Sequence, residues 1–551
     1  MANWSPDIFV MLDEPMVQAP KIGDQGIVGS VVKEFKVEND NKDFTFVLRK
    51  GLKWSDGEPV TTEDVRFTYE NILLNEKISP IFPAKFRNGF KADEEPMTLE
   101  IVDDYTFKVH FTKPYGGFLR ALAIEGWVGY TDLINPAHYL KQWHPDTNPD
   151  LLTSDAYKAE AEKISVTDEW WQVFAQKRCQ NWDMTNPRCV NYPAMNAFIG
   201  VPSGNPSLLA FERNPYYFKV DTEGQQLPYL DRIVSQQVEN VEMVNMKVLA
   251  GEVDFLREST ALVKIPLYKE NEAKAGFQVV LLDMHVDSSG LRLNQTFDDP
   301  DWQAAVRDIR FRQAVSLAIN RQELIDSVYY GYASFPLQTI GEEFSQYDVA
   351  KANQLLDDMG LTEKDADGFR KYPSGKIVEI LIENGQQAPD LIPVADLTSQ
   401  YLRAIGLKVT VKTVDSTLWG ERWAANEIQA APMWSHDVGW AGDITLGNLE
   451  RAGRLWIVWY NTNGAEGEEP PDWAKEAIQI DTDRWSAVPG TDEYNALVEA
   501  GLKWTRDNLP YINFVEGVKY PMIANVKMGN VPQSGYAIGY NFTGPQMFFK
   551  P

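Results

Sequence analysis

Basic residues are scarce in this sequence. Lys and Arg number 52 against 79 Asp and Glu, a formal net charge of −27. Phosphate contact needs a basic surface, so a nucleic-acid partner is disfavoured, and an anionic membrane surface with it. Cysteine is rarer still: Cys179 and Cys189 are the whole complement. No neighbouring His completes a tetrahedral metal site by local spacing. The pair either closes a small disulfide loop, which suits an oxidising compartment, or stays as two free thiols. The five histidines, His110, His138, His144, His285 and His436, are never spaced i+3 or i+4. Neither a metal site nor a cofactor is therefore expected. No run of about 18 apolar residues occurs, so no transmembrane helix is expected. The opening Met1-Ala2-Asn3-Trp4-Ser5-Pro6-Asp7 has no basic and no apolar region, so no export leader is expected within this chain. Missing too are a Gly-rich phosphate loop ending in Gly-Lys-Ser/Thr, a His-Glu-x-x-His pair and a Gly-x-Ser-x-Gly elbow. No catalytic residues are assigned. Acid pairs such as Asp103/Asp104 and Glu468/Glu469 are expected by chance among so many carboxylates. A secreted glycoside hydrolase, which would need two carboxylates at a set separation, is the enzyme-class alternative.

What is present is ordinary in amount and unusual in one respect. The 551 residues are 44% hydrophobic and 24% charged, a globular composition too long for one core, so two to four domains are expected. Aromatics reach 12%, with 17 Trp and 23 Tyr. They serve either a large core or a cleft lined with aromatic faces.

Patterning indicates mixed α and β structure. Phe44–Leu48 reads as a strand, followed by a Ser55-Asp56-Gly57 turn. Thr61 with Asp64 three residues on forms a capping-box pattern ahead of Val65, Thr68, Tyr69, Ile72 and Leu73 at helical spacing. Residues 103–111 alternate as a strand after an acidic turn. Residues 140–190, rich in Asp, Asn, Pro and Trp, read as a loop-rich insertion or subdomain edge. Val241, Val244 and Val248 mark a helix closed by Gly251, and residues 252–255 re-enter a strand. Two helices in series span Asp308 to Gly331, the second capped by Asn320 with Glu323 at N3. A helix opens at Asp348, a buried strand covers Val378–Ile382, and a helix from Leu397 to Ile405 precedes a strand at Lys408–Lys412. This rhythm predicts an α/β lobe with largely parallel strands, whose strand ends are where ligands bind.

Four segments carry a family resemblance. Residues 44–67, FTFVLRKGLKWSDGEPVTTEDVRF, closely resemble the signature of the family 5 extracellular solute-binding proteins, the peptide, nickel and oligosaccharide receptors of ABC importers. Asn214-Pro215-Tyr216-Tyr217-Phe218 with Leu227-Pro228-Tyr229-Leu230-Asp231 resembles a second element of that family. Residues 249–255, LAGEVDF, resemble a third, and residues 309–325, IRFRQAVSLAINRQELI, its helix pair. The resemblance implies a two-lobe periplasmic-binding-protein (venus-flytrap) α/β fold with an extra lobe I subdomain. The subdomain would cover 1–190, the main sheet of lobe I 191–286 and 515–551, and lobe II 287–514, with hinges near Val286 and Phe514. It also implies a periplasmic location, a membrane permease as partner, and a monomer. The family usually begins with a further strand-bearing segment, and little precedes the matching stretch here.

Most conspicuous motif residues read as structural. Trp54-Ser55-Asp56-Gly57 is a turn with an aromatic anchor, and Arg310 and Arg312 suit salt bridges or helix capping. The candidate site is residues 433–443. In the oligopeptide receptors a Trp-x-x-Asp here supplies the carboxylate that takes the peptide α-ammonium; Trp434 and Asp437 match it. A carboxylate facing a cation is a strong charge-assisted pair. The same carboxylate can accept sugar hydroxyls, with Trp434 or Trp440 stacking on a pyranose. His436 and Asp443 belong to the same loop. Trp419 and Arg422 share a helix face upstream and join the candidate set, lobe packing being the other reading. Five Trp between 434 and 473 favour an oligosaccharide, with an oligopeptide next. Nickel is least favoured, since no His cluster is visible.

Overall fold

The computed structural model describes residues 14–18, 26–91, 93–123, 133–179, 181–257, 260, 262–283, 288–386, 388, 390–435, 449–535 and 543–551. Alternation in the first third produces an antiparallel sheet of β1 (Val32–Glu38), β2 (Asp43–Leu48), β3 (Thr98–Asp103) and β4 (Thr106–His110), in the order β1-β2-β4-β3. β2 buries Phe44, Phe46 and Leu48, and Phe46 stacks on Phe107 of β4 with centroids 5.2 Å apart. The acidic turn expected at Asp103-Asp104 falls at residues 104–105, and the strand expected after it is β4. α1 (Thr62–Phe67) opens with the expected capping box. The Thr61 hydroxyl accepts from Glu63 N, and Asp64 Oδ2 accepts from Thr61 N at 2.9 Å. Asp64 Oδ1 also accepts from Ala137 N at 2.9 Å, so one carboxylate caps the helix and anchors a distant segment.

The stretch 140–190 is more helical than its composition implies. It holds α2 (Asp155–Lys163) and α3 (Trp170–Lys177), because Ser154 caps α2 and Tyr157, Trp170, Val173 and Phe174 supply a buried face. A disulfide joins Cys179 and Cys189 beside α3. The antiparallel sheet β5 (Phe198–Val201), β6 (Leu208–Arg213) and β7 (Arg232–Gln236) follows. α4 (Val241–Leu249) runs to Gly251 at φ +71° as expected, and leads to β8 (Phe255–Leu256) and β9 (Phe277–Asp283).

The second half is built on β10 (Ser288–Leu293), β11 (Glu379–Gly385), β12 (Lys408–Val414), β13 (Ala430–Ser435) and β14 (Ile512–Asn513), ordered β12-β11-β13-β10-β14. β11 is parallel to β12 and β13, whereas β10 is antiparallel to both its neighbours. The expected parallel sheet is therefore a mixed one. Its helices are α5 (Ile309–Ala318), α6 (Arg321–Ser327), α7 (Val349–Asp358), α8 (Leu391–Ala404), α9 (Ser416–Ala424), α10 (Arg454–Asn461), α11 (Asp472–Ser486) and α12 (Asp492–Asn508). Asn320 and Asp348 cap α6 and α7 as expected. One core joins Leu291, Leu293, Phe311, Ile380, Ile382, Leu402 and Phe514. β15 (Lys519–Asn525) then returns to pair with both β8 and β9. The chain thus passes from one sheet to another between β9 and β10 and passes back between β14 and β15. The hinge candidate Val286 lies outside the described residues, while Phe514 is buried and donates its N–H to Ser289 O at 2.7 Å.

Candidate ligand site

Parallel β11, β12 and β13 end together at one edge of the second sheet, where backbone groups and side chains leave the apolar core. β11 is apolar through Ile382 and then presents Glu383 and Asn384, both buried. Glu383 Oε2 accepts from Arg422 Nη2 at 3.0 Å. Its Oε1 is buried without a hydrogen-bond partner among the described residues, as is Asn384 Oδ1. α9 exists because Asp415 caps it, accepting from Thr417 N and Leu418 N. The helix then aims Trp419 and Arg422 at Glu383. Trp419 Nε1 donates to Glu383 O at 3.2 Å, and the Trp419 ring stacks on Trp423, 6.0 Å apart and 9° from parallel. Arg422 also donates to Glu427, at 3.2 Å from Nη1 to Oε2.

On the neighbouring strand, half-buried Trp434 donates from Nε1 to Asp390 Oδ2 at 2.8 Å. Asp390 directly precedes α8. Its burial pushes the carboxyl up to about 6, and the Trp434 hydrogen bond offsets only part of that. The strand register sets Ser289 opposite Trp434, and Ser289 shares a 2.5 Å hydrogen bond with the Tyr329 hydroxyl.

The structure therefore brings Trp419 and Arg422 together around Glu383 and places Trp434 on Asp390. His436, Asp437, Trp440 and Asp443 lie outside the described residues. Trp456 and Trp473, further downstream, are packing residues. Trp456 is fully buried and meets Trp473 edge-on at 5.6 Å, and Trp473 stacks on Trp504 at 5.6 Å. Glu383 and Asp390 escaped the sequence reading. The available signal was an acid at the C-terminal end of a buried strand in an α/β lobe. Among the described residues no cluster of three or more His, Cys, Asp or Glu could hold a metal ion, and no helix is long and apolar enough to cross a membrane.

A comparison with known families matches residues 26–449 to the bacterial extracellular solute-binding proteins, family 5. The chain belongs to this family. Family 5 members of this kind are non-catalytic periplasmic receptors of ABC importers, and the α/β two-lobe venus-flytrap architecture is theirs. One family 5 relative is the periplasmic alpha-galactoside-binding protein of Rhizobium meliloti, 25% identical over 93% of this chain and 72% of that protein. Another is a probable ABC transporter-binding protein of Deinococcus radiodurans, 22% identical over 70% of this chain and 61% of that protein. Among solved structures, an oligopeptide-binding protein OppA superposes with TM-score 0.66 at 26% identity, covering 99% of this chain and 88% of the other. The binding protein MelB from Agrobacterium fabrum, in complex with stachyose, superposes with TM-score 0.71 at 22% identity, covering 99% of this chain and 81% of the other.

Proposed function

We propose that this solute receptor captures an oligopeptide between its lobes and presents it, as a monomer, to an ABC permease. The observation that carries the reading is the paired charge at the edge of the second sheet. Asp390 and Glu383 supply carboxylates, Arg422 supplies a guanidinium, and Glu383 keeps an oxygen without a partner. A peptide brings both an ammonium and a carboxylate, and buried charges of both signs are costly unless a ligand or neighbour pairs them. The likeness to the oligopeptide-binding protein over nearly the whole chain supports the same reading. The tryptophan argument for a sugar is weaker than the sequence implied, because Trp419 and Trp456 are buried by the protein itself. Asp437, in the Trp-x-x-Asp pattern, is proposed as the ammonium acceptor. The subdomain is assigned to 1–190, lobe I to 191–286 with 515–551, and lobe II to 287–514.

An oligosaccharide is the second reading, favoured by the alpha-galactoside-binding relative. Ligand that binds only the native state raises the melting point, so a thermal-shift screen separates the two. Di- to pentapeptides should stabilise the protein and Asp437→Ala should abolish that effect. Stabilisation by raffinose or stachyose alone would reverse the assignment, and unchanged peptide affinity in Asp437→Ala would reject the ammonium role.

A further inference from the structure

β10 buries a charge on the face of its sheet opposite the main core. Leu291 and Leu293 enter the core on one face, and Arg292 points to the other, opposite Ala431 of β13. Arg292 is 2% exposed. Its guanidinium carbon sits over the Trp423 ring, 3.3 Å from the centroid, a cation–π contact. Its Nε and Nη1 are buried with no acceptor among the described residues. Buried Arg321, by contrast, is saturated by carbonyls: it donates to Ser316 O, Phe344 O, Ser345 O and Asn513 O. Arg292 has no comparable set.

Its electrostatic surroundings point the same way. Burial holds the guanidinium well below its usual value, the charges of Arg451 and Arg454 lower it further, and Glu450 acts against them. Glu450 is engaged with Arg454, Oε1 to Nη1 at 3.4 Å. Arg451 lies over the Tyr511 ring at 5.8 Å. Tyr511 covers Gly290, two residues before Arg292 on the same sheet face, where an added Cβ would meet its ring at 2.7 Å.

We propose that Arg292, seated over the Trp423 ring and flanked by Arg451 and Arg454, anchors a carboxylate-binding subsite in lobe II, so that the transported solute is acidic. A guanidinium offers parallel N–H groups that match a carboxylate, and its aromatic platform orients them before the ligand arrives. The proposal rests on the receptor reading and narrows its ligand to one that carries a carboxylate, on an acidic peptide side chain or on a sugar acid.

Two matched probe pairs test it on the full chain: Ala-Glu-Ala against Ala-Gln-Ala, and a galacturonic acid disaccharide against its neutral galactose counterpart. Calorimetric titration should show at least tenfold tighter binding of the acidic member of one pair. Arg292→Met should remove that preference, and Arg292→Lys should keep part of it. Discrimination in the sugar pair alone upholds the subsite and rejects the peptide reading. Equal or absent binding within both pairs overturns the subsite, as does an acidic preference that survives in Arg292→Met. Without ligand, Arg292→Met should melt higher than the parent, since it removes a buried charge without an acceptor; a lower melting point would overturn the proposal by making the guanidinium structural.

Discussion

Asp390 shows how one side chain links stability to pH at the site. An aspartate in water ionises near 3.9, and burial moves Asp390 up to about 6. The folded state therefore holds this proton more tightly than the unfolded chain. The cost of the ionised form is fully present above the folded value, is relieved as pH falls through it, and vanishes below the unfolded value. Asp390→Asn keeps an oxygen for Trp434 and cannot ionise. It should stabilise the protein by about 1–2 kcal/mol at pH 7.5, after discounting for partial exposure, and by almost nothing at pH 4. Urea unfolding midpoints of both proteins at the two pH values check this. Buried Asp64 is likewise pushed up to about 6 by burial, against hydrogen bonds from Thr61 and Ala137.

At the scale of elements, arginines and a disulfide tie segments that repetition alone would leave loose. Arg310 pairs with Asp308 at 2.6 Å, as its exposed helix position suggests. Arg312 is buried and caps a different helix from its own: it donates to Asn508 O at 2.9 Å and Leu509 O at 3.1 Å, at the end of α12. It also donates to Val306 O at 2.6 Å. Replacing it by Met orphans those carbonyls and should cost about 2–4 kcal/mol, measured by chemical denaturation. The Cys179–Cys189 bridge closes a loop of sequence separation 10. Its loss in the Cys179→Ser, Cys189→Ser double variant should cost about 2–3 kcal/mol. Thiol titration of the unreduced, denatured protein should find none.

Across the whole molecule, the second half of the chain reaches back onto the first. The end of α11 docks on residues 90 and 116–117. Trp485 stacks on Phe90 at 4.7 Å, and Gly116 and Gly117 donate their N–H groups to Ser486 O and Trp485 O, both at 2.9 Å. Gly117 is required there, because a Cβ would lie 2.6 Å from the Trp485 ring. Trp485→Ala removes the stacking face and should cost about 2–3 kcal/mol, the indole being only partly buried. The same variant should bind ligand more weakly and show a larger radius of gyration in solution scattering. An unchanged radius with unchanged affinity would confine this contact to local packing.

Local grammar made much of the fold legible. The capping box at Thr61, the Asn320 and Asp348 caps and the Gly251 stop each depend on residues within about four positions, so a sequence window contains the whole interaction. Family membership was legible for the same reason, through short contiguous motifs. The candidate site was only partly legible. Trp419, Arg422 and Trp434 could be singled out, but their partners could not: Arg422 meets Glu383 across 39 residues and Trp434 meets Asp390 across 44. The fate of the aromatic excess was likewise undecided in the sequence, since Trp473 finds Trp504 only through the packing of α11 on α12. By itself the sequence determined the elements, their caps and the receptor family. Only the tertiary structure decided which tryptophans pack against protein and which buried charges lack a partner, because burial and charge pairing are properties of segments brought together from far apart in the chain.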